Sequence, residues 1–271
     1  MPELPEVETT RRGLSPLVVG RRIAITRIYD RRLRWPVPRG LERKLAGCTI
    51  DRLERRSKYL LFRVGRDTLL IHLGMTGSLR AFSQLPPRAA HDHFDIELDS
   101  GVTLRYRDPR RFGALLWLRA PAEAHPLLAS LGPEPFDPAC DARYLWDATR
   151  RRTAAIKLAL MDTRLVVGVG NIYANEALFR AGIRPTTPAH RLSKPRFGRL
   201  LAAVRETLQD AIAKGGSTLR DYVDSRGDPG YFQLDYQVYG REGLPCRVCG
   251  TAIKSLRQGG RATSYCPRCQ R

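Results

Sequence analysis

Residues 2 and 3, Pro2 and Glu3, place a secondary amine beside a carboxylate as soon as Met1 is removed. Initiator methionine is commonly trimmed before a small residue, so the mature chain is expected to begin at Pro2. An α-amino group titrates near pH ~8, which leaves a useful unprotonated fraction at neutral pH. Such amines attack carbonyl carbons and form Schiff bases. A secondary amine gives a permanently cationic iminium, a strong electron sink. The same residues also suit a helix start, because Pro fits a first turn and Glu3, Glu6 and Glu8 complement the positive end of the dipole. These few residues do not decide between the two readings.

The second cluster with chemical meaning is at the other end. Cys246-x2-Cys249, sixteen residues, then Cys266-x2-Cys269 is the spacing of a four-thiolate zinc site. Each C-x2-C turn presents two sulfurs on one side of a tight knuckle, and Gly250 allows the first knuckle to curl. Residues Thr251 to Tyr265 read as a hairpin with Gly259-Gly260 at its tip. Four thiolates leave no open position for a reactive water, so this zinc is structural. Two disulfides are the alternative, which a cytosolic chain without a signal disfavours. Residues 241 to 271 hold seven Arg/Lys against one acid, and so short a segment needs the metal in place of a core. A basic zinc hairpin reads as a nucleic-acid finger, with Arg261 just past the tip placed to reach a ligand. Cys48 and Cys140 stand alone and read as structural or incidental.

The 271-residue chain has room for two domains, or one with an appendage, and carries 47 Lys+Arg against 27 Asp+Glu, a net charge of +20. That field attracts a polyanion, and nucleic acid is the default partner. There is no apolar run of about 18 residues and no signal pattern, so a soluble cytosolic protein is expected rather than a membrane one. Individual runs such as Arg55-Arg56 and Arg150-Arg151-Arg152 read as solvated faces.

Two kinds of element must hold these groups. From Ile23 to about Leu118, short β-prone runs at 59–64, 68–73, 93–98 and 102–106 follow one another with turns between, which predicts an antiparallel sandwich or barrel. Pro- and Ala-rich residues 120 to 140 mark a domain boundary. From about Tyr144 the period becomes helical. Residues 194 to 214 carry one apolar stripe closed by Gly215-Gly216, and Ala154 to Met161 reads as a helix. After the apolar turn 165–170, Asn171 is expected to cap a helix through Phe179. Two helices around a Gly-containing turn form a helix-turn-helix-like unit whose amides suit a phosphate.

Six stretches then converge on one family: Pro2-Glu3-Leu4-Pro5-Glu6-Val7-Glu8, Arg56-Ser57-Lys58-Tyr59-Leu60, His72-Leu73-Gly74-Met75-Thr76-Gly77, Asp108-Pro109-Arg110-Arg111-Phe112-Gly113, Val167-Gly168-Val169-Gly170-Asn171-Ile172-Tyr173-Ala174 and Arg261-Ala262-Thr263-Ser264-Tyr265-Cys266. Across essentially its whole length the sequence resembles the bacterial formamidopyrimidine-DNA glycosylases, which remove oxidised purines such as 8-oxoguanine. The resemblance implies an α+β multidomain fold: an N-terminal antiparallel β-sandwich with a long N-terminal helix (1–125), a helix-two-turn-helix domain (135–235) and a C-terminal β-hairpin zinc finger (237–271). In that family these parts flank a DNA groove.

By the same resemblance, Pro2 is the nucleophile at C1′, Glu3 shuttles the proton, Lys58 assists β-elimination and Arg261 assists δ-elimination. A damaged base must leave the stack to be reached, and Met75, Arg110 and Phe112 match the family's wedge. Core packing is the alternative for Met75, Phe112 and His72. The resemblance makes His72, Asn171, Arg152 and His91 DNA contacts, and it makes 215–230 the loop over the extruded base, with Ser217, Leu219, Arg220, Asp221 and Tyr222 reading the lesion. The implied partner is duplex DNA with oxidised bases or abasic sites, the implied cofactor is one structural Zn2+, and the implied state is a cytoplasmic, nucleoid-associated monomer. Three other readings compete: an endonuclease VIII-like enzyme for oxidised pyrimidines, a noncatalytic zinc-finger protein, and a small-molecule tautomerase. The Pro-Glu-Leu-Pro-Glu start and the wedge favour the purine enzyme over the first. The second leaves Pro2-Glu3 unexplained, and the third gives no reason for the charge or the finger.

Overall fold

The computed structural model describes residues 2–217 and 231–271. The chain forms two compact units, Met1–Ala129 with Ile212–Tyr231 and Ser130–Ala211 with Phe232–Arg271. Among the described residues, no helix is long and apolar enough to cross a membrane.

The first unit opens with helix α1 (Leu4–Val18), followed by β1 (Ile23–Ile28), the short α2 (Leu41–Leu45), β2 (Arg52–Arg56), β3 (Tyr59–Val64), β4 (Asp67–His72), β5 (Ser78–Phe82), β6 (Asp92–Leu98), β7 (Thr103–Arg107), β8 (Ala114–Leu118) and α3 (Pro126–Ala129). The strands form two four-stranded sheets, ordered β1-β6-β7-β5 and β2-β3-β4-β8, and every ladder in them is antiparallel. The expected sandwich is present. Its core joins Leu60, Phe62, Leu69 and Ile71 of one sheet to Phe94, Ile96, Leu104 and Tyr106 of the other, each fully buried apolar side chain contributing about 1.5–3 kcal/mol. Phe94 and Tyr106 stack with centroids 4.9 Å apart. Helix α1 adds Val7, Leu14 and Val18 to the same core, so the polypeptide's first turn is fixed by packing further along the helix.

The second unit contains α4 (Ala142–Thr149), α5 (Ile156–Leu160), α6 (Asn171–Arg180), α7 (Lys194–Ala213, whose last two residues group with the first unit) and the hairpin β9 (Lys254–Gln258) and β10 (Arg261–Tyr265). Asp141 caps α4 by accepting the Tyr144 amide at 2.6 Å, a stabilisation of about 1 kcal/mol. The apolar stripe of α7 is buried at Phe197, Leu200, Leu201, Val204, Leu208 and Ala211.

Two local expectations are corrected. The helix expected over Ala154 to Met161 is confined to Ile156–Leu160. Ala154 and Ala155 are held outside the helix instead, the first carbonyl accepting from Ala189 and the second residue bridging to Pro188. Asn171 is not a cap but the first residue of α6; extended Gly170 is the cap residue. The Asn171 amide is engaged elsewhere, donating to the Ala262 carbonyl of β10 at 3.1 Å.

Candidate functional site

Pro2 and Glu3 are buried at the start of α1. The Glu6 carboxylate closes the helix by accepting the Glu3 amide at 2.7 Å. Its second oxygen accepts the Ser217 amide at 2.8 Å. A buried carboxylate is tolerated when amides satisfy it in this way. Gly216 is required beside it: its φ is +85°, and a Cβ there would lie 2.9 Å from Glu6 Oε1. Glu6 therefore ties the amino-terminal turn to Ser217, the described end of the expected lesion loop. Leu219, Arg220, Asp221 and Tyr222 lie outside the described residues. Sequence reasoning treated Glu6 only as a helix-start acid; its i, i+3 spacing from Glu3 was the available signal.

One turn further, Glu8 receives hydrogen bonds from Arg11, Arg12 and, at 3.1 Å, Arg55 of β2. Burial alone raises this carboxyl, but the hydrogen bonds from Arg11 and Arg12 and the charges of Arg11 and Arg55 prevail and lower its pKa to about 2. Arg55 also donates to the Ser57 carbonyl at 2.9 Å. Lys58 is thus carried on a turn braced against α1.

Among the described residues, three non-glycine residues adopt positive φ: Ser57 at 56°, His91 at 72° and Arg111 at 59°. Each costs on the order of 1–3 kcal/mol, and such strain concentrates where loops are held for function. They adjoin expected site residues: Ser57 precedes Lys58, His91 is itself a candidate, and Arg111 separates Arg110 from Phe112.

The wedge candidates are on the surface. Met75 is 38% exposed and Phe112 40%, so neither is a core side chain, and the Arg110 guanidinium lies 4.9 Å from the Phe112 ring centroid. His72 ends β4, and its Nδ1 accepts the Gly74 amide at 3.0 Å. Desolvation, then the positive charges of Lys58 and Arg34, lower its pKa to about 4. A neutral ring with Nδ1 accepting carries its proton on Nε2, and the ring also hydrogen-bonds the Phe112 backbone, which ties the end of β4 to the second wedge loop. His91 is exposed and its carbonyl accepts from Asp108.

In the second unit, Arg261 is exposed at the start of β10, directly after the two-residue Gly259-Gly260 loop. The strand that carries it is pinned from behind. The fully buried Lys157 donates to Ala262 O at 2.9 Å and Thr263 Oγ1 at 2.7 Å, and the Ser264 amide donates to Asn175 at 2.8 Å. Arg152 pairs with Asp162 at 2.8 Å and is partly exposed. Asn171 Oδ1 is buried with no hydrogen-bond partner among the described residues.

The four expected zinc ligands converge, all sulfurs lying within 4.8 Å of one another. All six cysteines are free thiols, so the disulfide alternative is not realised. The Cys246–Cys269 and Cys249–Cys266 sulfurs are 3.9 and 3.5 Å apart; a tetrahedron of Zn–S bonds has edges of roughly 3.8 Å. The set fits one structural zinc. Phe179, Val238 and Ile253 pack against it. The buried Glu176 accepts the amides of Gln237, Val238 and Tyr239 at 2.8–3.1 Å, which anchors α6 to the lead-in of the metal module.

Comparison with known proteins agrees along the whole chain. Residues 1–115 match the formamidopyrimidine-DNA glycosylase N-terminal domain, residues 131–223 its H2TH domain, and residues 243–271 the zinc finger found in FPG and IleRS. The formamidopyrimidine-DNA glycosylase of Burkholderia multivorans is 57% identical over 276 aligned positions, covering 100% of both chains. Among solved structures, a Lactococcus lactis FPG point mutant bound to Fapy-dG-containing DNA aligns with a TM-score of 0.91 at 36% identity over 100% of both chains. The L. lactis Fpg bound to DNA containing an abasic site aligns at 0.90 and 36% over 99% of both.

Proposed function

The chain belongs to the formamidopyrimidine-DNA glycosylase family, and we propose that it excises oxidised purines from duplex DNA through a Pro2 Schiff base and then nicks the abasic site. The full-length match to glycosylases, with all three modules in order, carries this reading. In it, residues 1–125 supply the chemistry, 135–235 the helical DNA-binding platform, and 237–271 the zinc finger. The enzyme works on chromosomal DNA in the cytoplasm.

The Pro2 nitrogen donates its lone pair to C1′ as the bond from C1′ to the damaged base breaks, and the base leaves with a proton. Glu3 delivers a proton to the sugar ring oxygen, the ring opens, and the C1′–N bond becomes an iminium. The iminium acidifies the C2′ proton. Its removal expels the 3′ phosphate by β-elimination, assisted by Lys58, and a second elimination assisted by Arg261 expels the 5′ phosphate. Base release requires extrusion from the stack, and Met75, Arg110 and Phe112 occupy the vacated space. His72, His91, Arg152 and Asn171 hold phosphates. Ser217 and residues 219 to 222 contact the lesion. The zinc supplies no step; it orders the hairpin that presents Arg261.

Borohydride trapping on duplexes with 8-oxoguanine, a formamidopyrimidine, an oxidised pyrimidine or an abasic site tests the assignment. Covalent trapping should be efficient on the purine lesions. Preferential trapping on the pyrimidine lesion would favour an endonuclease VIII-like enzyme, and no trapping on any duplex would leave only a DNA-binding protein.

A further inference from the structure

Asp108 has no role in the chemistry above, yet its side chain is fully buried and gathers the backbone of both wedge loops. One carboxylate oxygen accepts the Thr76 hydroxyl at 2.8 Å and the Arg110 amide at 3.3 Å. The other accepts the Gly113 amide at 2.8 Å and lies 3.3 Å from the Tyr106 hydroxyl. Thr76 adjoins Met75, and Arg110 and Gly113 bracket Phe112. The main chain of Asp108 is held as well, its amide donating to His91 O at 3.0 Å and its carbonyl lying 2.9 Å from His93 Nε2. A carboxylate offers about four acceptor positions, and all are directed at these two loops and the strand beneath them.

The loops are also in backbone contact. A Cβ on Gly74 would lie 2.5 Å from Gly113 N, one on Gly77 would lie 2.6 Å from Tyr106 Oη, and one on Gly113 would overlap the same oxygen. Tyr106 Oη also lies within 3.2 Å of His72 O. On the far side, Thr76 and Pro109 border a cavity of about 500 Å³.

We propose that Asp108 is the positioning residue of the wedge: with the Thr76 and Tyr106 hydroxyls, its carboxylate sets the register between the loop carrying Met75 and the loop carrying Arg110 and Phe112. The inference rests on the wedge reading given above. Three side chains on two loops fill a hole opposite an orphaned base only if the loops hold a fixed offset. A loop tethered by one multidentate acceptor holds that offset, whereas loops tethered separately to their own strands do not. A misplacement of about 1 Å costs on the order of 10²-fold in a positioned reaction.

Thr76→Val removes the hydroxyl with little change of shape, Thr76→Ser restores it, and Asp108→Asn removes acceptor capacity. Each is measured with Arg110→Ala and Phe112→Ala by single-turnover excision of 8-oxoguanine opposite each of the four bases, by cleavage of a preformed abasic duplex, and by thermal unfolding. Thr76→Val should slow excision about tenfold and flatten opposite-base preference while abasic cleavage stays within about twofold, and Thr76→Ser should recover both. Asp108→Asn should do the same more strongly; if it fails to fold, the Thr76 pair decides. Impaired Arg110→Ala and Phe112→Ala with a normal Thr76→Val would overturn the hub and leave the wedge standing. Unimpaired Arg110→Ala and Phe112→Ala would overturn the wedge reading and the hub with it. A Thr76→Val defect shared equally by excision, abasic cleavage and melting temperature would make the contact structural only, and the proposal wrong.

Discussion

Pro2 acts, on the reading above, through a lone pair that exists only when its nitrogen is the chain terminus. A tag that leaves any residue before Pro2 should abolish borohydride trapping to 8-oxoguanine duplex, and undiminished trapping from a blocked terminus would remove Pro2 from the chemistry. Glu3→Gln should lose base excision while keeping much of its cleavage of abasic sites; equal loss of both would deny Glu3 a distinct part in base release. His72 gives a prediction with a sign. Its pKa is lowered from 6.5 to about 4 in the folded protein, so the unfolded chain binds the extra proton first. The stabilisation is fully present above pH 6.5 and is lost as pH falls through 4. Ring shifts of His72 in NMR should therefore stay flat from pH 8 to about 5, and a midpoint near 6.5 would show that Lys58, Arg34 and burial do not act on it. What was legible at this scale was chemistry that a residue carries by itself, such as four thiols at metal spacing or an amine at a terminus. Asp108 and Glu6 were not legible as hubs, because an acid before a proline and an acid in a first turn have ordinary local explanations, and their partners are supplied only by tertiary folding.

At the level of elements, the apolar runs at 59–64, 68–73, 93–98 and 102–106 marked strands to within a residue, since short β-prone runs bounded by turns record strands buried over three or more consecutive positions. The misread segments are those where a long-range partner overrides a local preference. Ala154 and Ala155 favour helix on propensity, yet pairing with Pro188 and Ala189 keeps them out of α5. Asn171 is a good cap by type, but the chain enters α6 one residue earlier, with Gly170 in the extended cap position, and the Asn171 amide donates to β10. The join between α1 and β2 is likewise set at a distance, through Glu8 and Arg55. Glu8 is held at about 2, below its ordinary 4.5, so its contribution is present above pH 4.5 and disappears as pH falls towards 2. Wild type should lose melting temperature more steeply than Glu8→Gln between pH 5 and 3, the two curves converging at the acid end. Parallel curves would mean that the Glu8–Arg cluster contributes nothing to stability. Gly74→Ala tests the loop contact directly: a side chain at φ +69° and 2.5 Å from Gly113 N should cost about 1–3 kcal/mol, measured by denaturant unfolding.

For the molecule as a whole, the +20 charge and the zinc module answer different questions about the same ligand. The charge supplies affinity for any duplex, because each neutralised phosphate releases counterions and steepens the salt dependence. The metal supplies order. Residues 241 to 271 have too small a core to hold β9 and β10 by themselves, and the four thiols with Phe179, Val238 and Ile253 form the cluster that replaces it. Cys249→Ser should therefore release zinc and unfold the hairpin while leaving the sandwich and α7 cooperative, because their cores contain none of the ligands. Duplex affinity should fall more than about tenfold with it, since Arg261 and its basic neighbours lose their scaffold. The salt dependence separates the two contributions. Five to nine phosphate contacts predict a log–log slope of roughly −4.5 to −8 for the intact protein, and the zinc-free protein should show a shallower slope by about the number of contacts the finger makes. An unchanged slope with weaker binding would place the finger outside the phosphate contacts and make its role one of presenting Arg261 alone. Unchanged affinity after full metal removal would exclude the finger from DNA binding altogether, and the charge of the two units would then have to account for all of it.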